Sequence, residues 1–157
     1  SFFLSPQAPT SSGWIWGVGP ALLLPTGSDD LLTQDKWGAG PTVVFLKQSN
    51  GWTRGLLANQ LWSVAGDDDR DDVNVAAFQP ILIYQLGGGT YLRSTPIMSY
   101  DFESDGYSVP LGLGIGQVFK TARGSNNLFI EPQWSVADDG AGWPEWQVFI
   151  GFNMIFQ

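Results

Sequence analysis

A chain of 157 residues is long enough to bury a core and short enough to form one β-domain spanning 1–157. Fifteen Asp and Glu against seven Lys and Arg give a net charge of −8, which argues against a nucleic-acid partner. There is no Cys and no His. That excludes a disulfide scaffold, a thiolate- or imidazole-held metal, and chemistry built on a His base or Cys nucleophile.

Turn-rich clusters divide the chain into nine extended segments, near 2–7, 13–24, 37–47, 52–65, 73–86, 90–102, 107–120, 127–137 and 145–156. The stretch 28–36 is too short and too enclosed by turns to make a helix. Side chains alternate along most segments. In the second, Trp14, Trp16, Val18, Leu22 and Leu24 oppose Gly17, Gly19 and Ala21; in the third, Trp37, Ala39, Val43 and Phe45 oppose Gly38, Gly40 and Thr42. The fourth sorts poorly, because Arg54 and Gln60 share a face with Leu56 and Trp62. The sixth sets Leu92, Met98, Tyr100 and Phe102 against Arg93, Thr95, Ser99 and Asp101. The seventh sets Tyr107, Val109, Leu111, Leu113 and Ile115 against Ser108, Gly112, Gly114 and Gly116. The eighth sets Leu128, Ile130, Trp134 and Val136 against Glu131, Gln133 and Ser135, and the ninth has Trp146, Val148, Ile150, Phe152, Met154 and Phe156 in one row.

Two architectures produce this alternation. A soluble sandwich turns the apolar row toward its core, whereas a transmembrane barrel turns it toward lipid. The second row favours the barrel. It is mostly Gly, Ala, Ser, Thr and Gln, where a water-facing sheet carries Lys, Glu and Arg. No run of about 18 apolar residues encodes a membrane helix. About ten residues at ~3.3 Å each, tilted by ~45°, would cover the ~25 Å apolar band of an outer-membrane barrel. The expected fold is therefore all-β: an antiparallel up-and-down transmembrane barrel with eight or nine strands in this chain.

The turns separate by charge. Asp29, Asp30, Asp35, Asp67, Asp68, Asp69, Asp71, Asp72, Glu103, Asp105, Asp138, Asp139 and Glu145 fall in turns at one end. Lys47, Arg54, Arg93, Lys120 and Arg123 lie near the other, where the turns are shorter. This orients the acidic turns outward from a bacterial outer membrane and the C-terminus toward the periplasm. Aromatic residues cluster at both ends as interface anchors: Trp37, Tyr107, Trp134 and Trp146 toward the acidic end, Trp14, Trp16, Trp52, Tyr84 and Tyr91 toward the basic one. The start of the chain lacks the charge and apolar run of a signal peptide and reads as a mature or truncated piece. Nine segments conflict with the even strand number of bacterial barrels, so either one segment is not a strand, or a missing N-terminal segment or a further chain would complete the wall.

Several motifs also resemble a known family. They are W-G-x-G-P at 16–20, L-P-T at 24–26, K-W-G-x-G-P at 36–41, W-S-x-A-G-D with R-x-D-V-N over 62–74, Q-P at 79–80 and V-P-L-G-x-G-x-G at 109–116. Together they are similar to the C-terminal portion of bacterial outer-membrane proteins labelled transporter or phenol-degradation meta-pathway protein. The resemblance implies a barrel passing small, aromatic compounds and supplies no catalytic motif.

Candidate site residues follow from these faces. Arg93, Glu131, Gln79, Gln85, Gln133 and Asp101 fall on inward rows, where they would line the interior or pair with one another. Asp67, Asp69 and Asp71 have the alternate spacing of an oxygen cage for Ca²⁺, without the glycine and terminal Glu of an EF-hand; otherwise no cofactor is expected. Glu131 is the lone acid well inside a segment, so the carboxylate pair of a glycosidase-like enzyme is not expected. Pro20, Pro41, Pro80, Pro96 and Pro132 are expected on apolar rows, and Pro110 on the opposite one. There each removes a ladder hydrogen bond, either bending the wall or opening a lateral gap. The partners are then a lipid bilayer and a small solute. A soluble, secreted sandwich binding carbohydrate or calcium, and a purely structural barrel, are the alternatives.

Overall fold

A computed structural model of the chain describes residues 1–24, 36–66, 71–121, 124–140 and 143–156, with only the backbone of 155 and 156. Ten strands form one sheet: β1 (Trp14–Leu23), β2 (Lys36–Ser49), β3 (Trp52–Gly66), β4 (Asn74–Gly87), β5 (Thr90–Ser94), β6 (Met98–Asp101), β7 (Tyr107–Gly112), β8 (Gly114–Thr121), β9 (Gly124–Asp139) and β10 (Trp146–Phe156). Every ladder is antiparallel, and no helix occurs among the described residues. The expected all-β, up-and-down architecture is thus observed.

Two strands that read as continuous are interrupted. β5 and β6 both pair with β4, and β7 and β8 both pair with β9. Each couple is one long strand broken, at residues 95–97 and at Leu113. Counted this way, eight long strands run up and down. Segment 2–7 is not a full ninth strand, because its one bridge joins Leu4 to Val18, with a further bond from Phe2 N–H to Pro20 O. At the other edge β10 pairs with β9, and no ladder joins it to β1 or to residues 1–7 among the described residues.

The two rows of the sheet differ in how they are covered. Ile150 is 67% exposed, Trp134 57% and Phe152 54%, while Glu131 is 0% and Gln133 2% exposed. The buried hydrophobic side chains are few and mostly small: Ala21, Val73, Ala76, Tyr91 and Phe129. Most of the large apolar groups therefore stand exposed on the outer face, where none of the described residues covers them, while the buried polar side chains Glu131 and Gln133 lie on the inner one. Arg54 and Gln60 take their places on the outer row of β3 beside Leu56 and Trp62, as the register with β2 requires. Gln60 is satisfied there by donating to Asn74 Oδ1 at 2.7 Å.

The ends of the sheet sort by charge. Among the described residues, Asp71, Asp72, Asp101, Glu103, Asp105, Asp138, Asp139 and Glu145 stand where β3, β6 and β9 end or the next strand begins. Lys47, Arg54 and Lys120 lie at the opposite end. There β2 and β3 are joined by Asn50 (φ 51°) and Gly51 (φ 78°), whose paired positive φ values match the twist of a two-residue hairpin. Segment 28–36 and the acids 29, 30, 35 and 67–69 lie mostly or wholly outside the described residues.

The prolines disturb the wall unevenly, and Pro110 sits at a register shift between β7 and β9. Pro20 opposes Pro41 directly, and Pro80 opposes Leu56, both within continuous registers of β1–β2 and β3–β4. Unpaired positions occur between β2 and β3, where Gly40 and Pro41 face Leu61 and Gln60. Pro96 departs from its expected place. It is fully buried in the break between β5 and β6, because the interrupted backbone there turns inward instead of following the ladder.

Candidate functional site: a polar belt across the inner face

The inner face of β4 to β10 carries a belt of hydrogen-bonded polar groups at mid-height. Glu131 lies near the middle of β9, and its inward direction follows from the alternation with Ile130 and Pro132. Arg93 Nε donates to Glu131 Oε2 at 2.6 Å, the Thr95 hydroxyl donates to the same oxygen at 3.0 Å, and Thr95 N–H donates to Oε1 at 2.8 Å. Gln133 Nε2 also donates to Oε1 at 3.0 Å, and the Arg93 Nη2 donates to the Thr95 hydroxyl. Gln147 on β10 extends the belt by donating to Gln133 Oε1 at 2.9 Å, and Gln79 on β4 closes it by donating to Thr95 O at 3.1 Å. Among the described residues, no buried side-chain nitrogen or oxygen lacks a partner.

The strand breaks explain why a carboxylate sits here. Between residues 94 and 98 the β5–β6 strand has no ladder with its neighbour, so Thr95 N–H has lost its backbone acceptor. Glu131 supplies one from two strands away. A buried N–H left without a partner costs about 1–3 kcal/mol, and a buried carboxylate left alone costs more, so each group relieves the other. The reach requires a cleared path over β7–β8. A Cβ on Gly114 would stand 2.6 Å from Glu131 Cβ, and one on Gly112 would stand 2.9 Å from its Oε1 and 2.6 Å from Gln133 Cγ. Those two glycines are small because Glu131 crosses them.

Aromatic side chains fill the same face below the belt. Tyr91 lies against Gly116 and donates to Asn127 Oδ1 at 2.8 Å, while the Phe129 ring lies against Gly151 and stacks on Phe149 at 6.4 Å. The Arg93 guanidinium covers Phe129, 3.7 Å from the ring centroid. Tyr91 is therefore an interior residue and not an interface anchor as expected, because its register with Gly116 turns it inward.

Toward the acidic end the belt forms the floor of a cavity of about 200 Å³. Ser99, Ser108, Gln133, Ser135 and Gln147 offer polar groups to it, and Phe149 and Trp143 give it aromatic sides. Its volume is below the roughly 300–1,000 Å³ of pockets for drug-sized ligands, so it suits a small solute.

The structure thus brings together four of the six expected interior residues: Arg93, Glu131, Gln79 and Gln133. Gln85 shares the inward face with Tyr91 but is exposed at the rim beside the turn. Asp101 is a turn residue: its carboxylate accepts from Glu103 N–H at 3.0 Å and from the Ser104 hydroxyl at 2.8 Å, because the strand ends there. Sequence reasoning missed Thr95 and Gln147. Thr95 precedes a proline, which was the available signal that its strand breaks. Of the expected calcium ligands, Asp67 and Asp69 lie outside the described residues and Asp71 is exposed. Among the described residues no three acids converge on one point.

Of the expected interface aromatics, Trp14, Trp16, Trp37, Tyr84, Trp134 and Trp146 stand exposed on the outer face, while Trp52 and Tyr107 are half-buried.

At the acidic end, the buried Lys36 donates to Asp72 Oδ1 at 3.1 Å, and the Ser63 hydroxyl donates to the same atom at 3.0 Å. These bonds, that from Lys36 foremost, hold the Asp72 carboxyl below its ordinary value. Its folded pKa is lower than its unfolded one, so its anchoring contribution is complete above the usual carboxylate range. It is lost as pH falls through the lowered value. Carboxyl titration by NMR should place the Asp72 midpoint below the usual Asp value, and Lys36→Met should move it back toward that value. An unlowered Asp72 midpoint in the parent chain would contradict the pairing.

The chain matches no protein-family model, no curated protein and no solved structure.

Proposed function

We propose that the chain forms all or most of the wall of a bacterial outer-membrane β-barrel that passes small uncharged solutes, apolar or aromatic ones in particular. The carrying observation is the inverted burial. The exposed outer row is dominated by Ile, Leu, Val, Phe and Trp, while Thr42, Thr95, Ser108, Glu131 and Gln133 are buried on the inner face. A sandwich in water would leave that outer face uncovered, whereas lipid covers it. The separation of acidic from basic turns and the exposed aromatics at both ends fit the same placement, with the acidic turns outside and the C-terminus periplasmic. So does the resemblance of the W-G-x-G-P and V-P-L-G-x-G-x-G motifs to outer-membrane transporters.

The belt bears on what passes. Arg93 and Glu131 neutralise each other, so the constriction has no net charge, and the serines, glutamines and aromatic rings above it suit neutral solutes. No residue is assigned a catalytic role. Among the described residues β10 has no ladder on its second edge, and a further segment or second chain would complete the wall there.

Flux into liposomes tests this reading. Liposomes carrying the protein should admit a small neutral aromatic faster than protein-free ones, and faster than a charged analogue of the same size. Ser108→Trp, which fills the cavity above the belt, should lower that flux roughly tenfold. A second reading, a packed barrel that transports nothing, is favoured by the complete hydrogen bonding of the belt. Flux equal to that of protein-free liposomes would decide for it.

A further inference from the structure

We infer that the outer face at the basic end holds a binding site for the phosphate headgroup of an anionic phospholipid. The inference rests on the proposed reading that the outer rows face lipid. Lys47 on β2 and Arg54 on β3 are direct ladder partners, with Trp14 beside Lys47 on β1 and Leu82 beside Arg54 on β4. All four stand on the outer row. Like charges directly opposite, with Cβ atoms about 4.5–5.5 Å apart, repel each other and weaken a sheet. Among the described residues neither cation forms a salt bridge. An anion between the two heads would turn that repulsion into attraction: Arg offers a planar fork to phosphate and Lys a mobile point charge.

The surroundings specify a headgroup attached to a lipid. Lys47 Nζ lies 5.7 Å from the Trp14 ring centroid, and Arg54 Cζ lies 4.9 Å from that of Trp52, whose ring packs on Tyr84 at 4.6 Å. Trp and Tyr belong at the level where acyl chains meet headgroups. Both cations are three residues from the Asn50–Gly51 turn, which places them about 7–10 Å inside the rim along a tilted strand. From that depth their apolar stems lie along the acyl boundary while their heads reach the phosphates. The flanking Phe45, Leu56 and Leu82 would receive the chains. The described acids are at the opposite end, except Glu131, which is buried and paired on the other face. Among the described residues an anion therefore meets no competing carboxylate here.

Quenching of Trp fluorescence by brominated lipid tests the site in the full chain. In mixed vesicles at constant salt, brominated phosphatidylglycerol should be preferred over brominated phosphatidylcholine by about five- to tenfold, from a factor near five for each cation at an anionic surface, reduced by exposure. The double substitution K47Q/R54Q should bring the preference to about one, and K47R/R54K should retain it. Quenching of the double variant by brominated phosphatidylcholine reports whether its outer tryptophans still meet lipid, and so whether it has folded. Equal quenching by the two lipids in the parent chain would overturn the inference while leaving the membrane reading intact. No quenching by either would overturn both. Loss of the preference on adding inorganic phosphate, but not sodium chloride of equal ionic strength, would assign the site to a free anion and overturn its assignment to lipid.

Discussion

Glu131→Ala should cost about 3–5 kcal/mol of unfolding free energy, because it leaves a buried guanidinium without its partner. Glu131 is fully buried, and the Arg93 side chain is 11% exposed. Truncation removes the acceptors of Arg93 Nε, Thr95 N–H, the Thr95 hydroxyl and Gln133 Nε2 together. It also opens space above Gly112 and Gly114, where the Glu131 side chain crosses. Glu131→Gln keeps the volume and two lone pairs but not the charge, so its loss should be smaller. Urea unfolding in micelles, followed by far-UV dichroism, gives both values. A cost below about 1 kcal/mol for the alanine variant would mean that the strand break needs no carboxylate, since that is the range of an ordinary exposed pair.

Ile150→Lys should also be strongly destabilising, which would be unusual at a position 67% exposed. On a water-facing surface such a change costs within about 0.5 kcal/mol. On the lipid face of a barrel, Lys near the midplane costs about 2–4 kcal/mol. Ile150 is level with Ile130 and Ile115 across three strands, well away from both ends of β10. Gln147→Lys on the inner face provides the contrast, with a smaller penalty because that face is already polar. Unfolding measured in bilayers for both variants separates the two surroundings. A near-zero cost for Ile150→Lys would remove the basis for placing this row in lipid.

Much of the fold was legible because a period of two survives in short windows. The row Trp146, Val148, Ile150, Phe152 and Met154 reads as one face without reference to anything else, and it stands on one face in the structure. The charge separation of the turns was equally legible, since it depends on nothing more than strands that reverse at each turn. Tyr91 was legible by parity as well, since it shares the inward row of Arg93 and Thr95, but its place near the basic turns read as an interface anchor; facing Gly116 on β8, a pairing between residues 25 apart, it stands inside. Asp101 keeps the inward parity of its row, facing Val75, but it ends its strand, and there its carboxylate bonds the turn and not the belt.

The candidate site shows the same division. Alternation by itself placed Arg93, Glu131, Gln79 and Gln133 on inward rows, because side-chain direction along a strand is a local property of the backbone. That they meet, that Thr95 and Gln147 join them, and that Pro96 is buried among them were decided by tertiary structure. Those facts follow from the register of β9 against β8 and β7, which sets Glu131 over Gly112 and Gly114 and within reach of a broken strand two places away. Register between distant strands is a sum over many weak cross-strand contacts, and no short window of residues contains that sum.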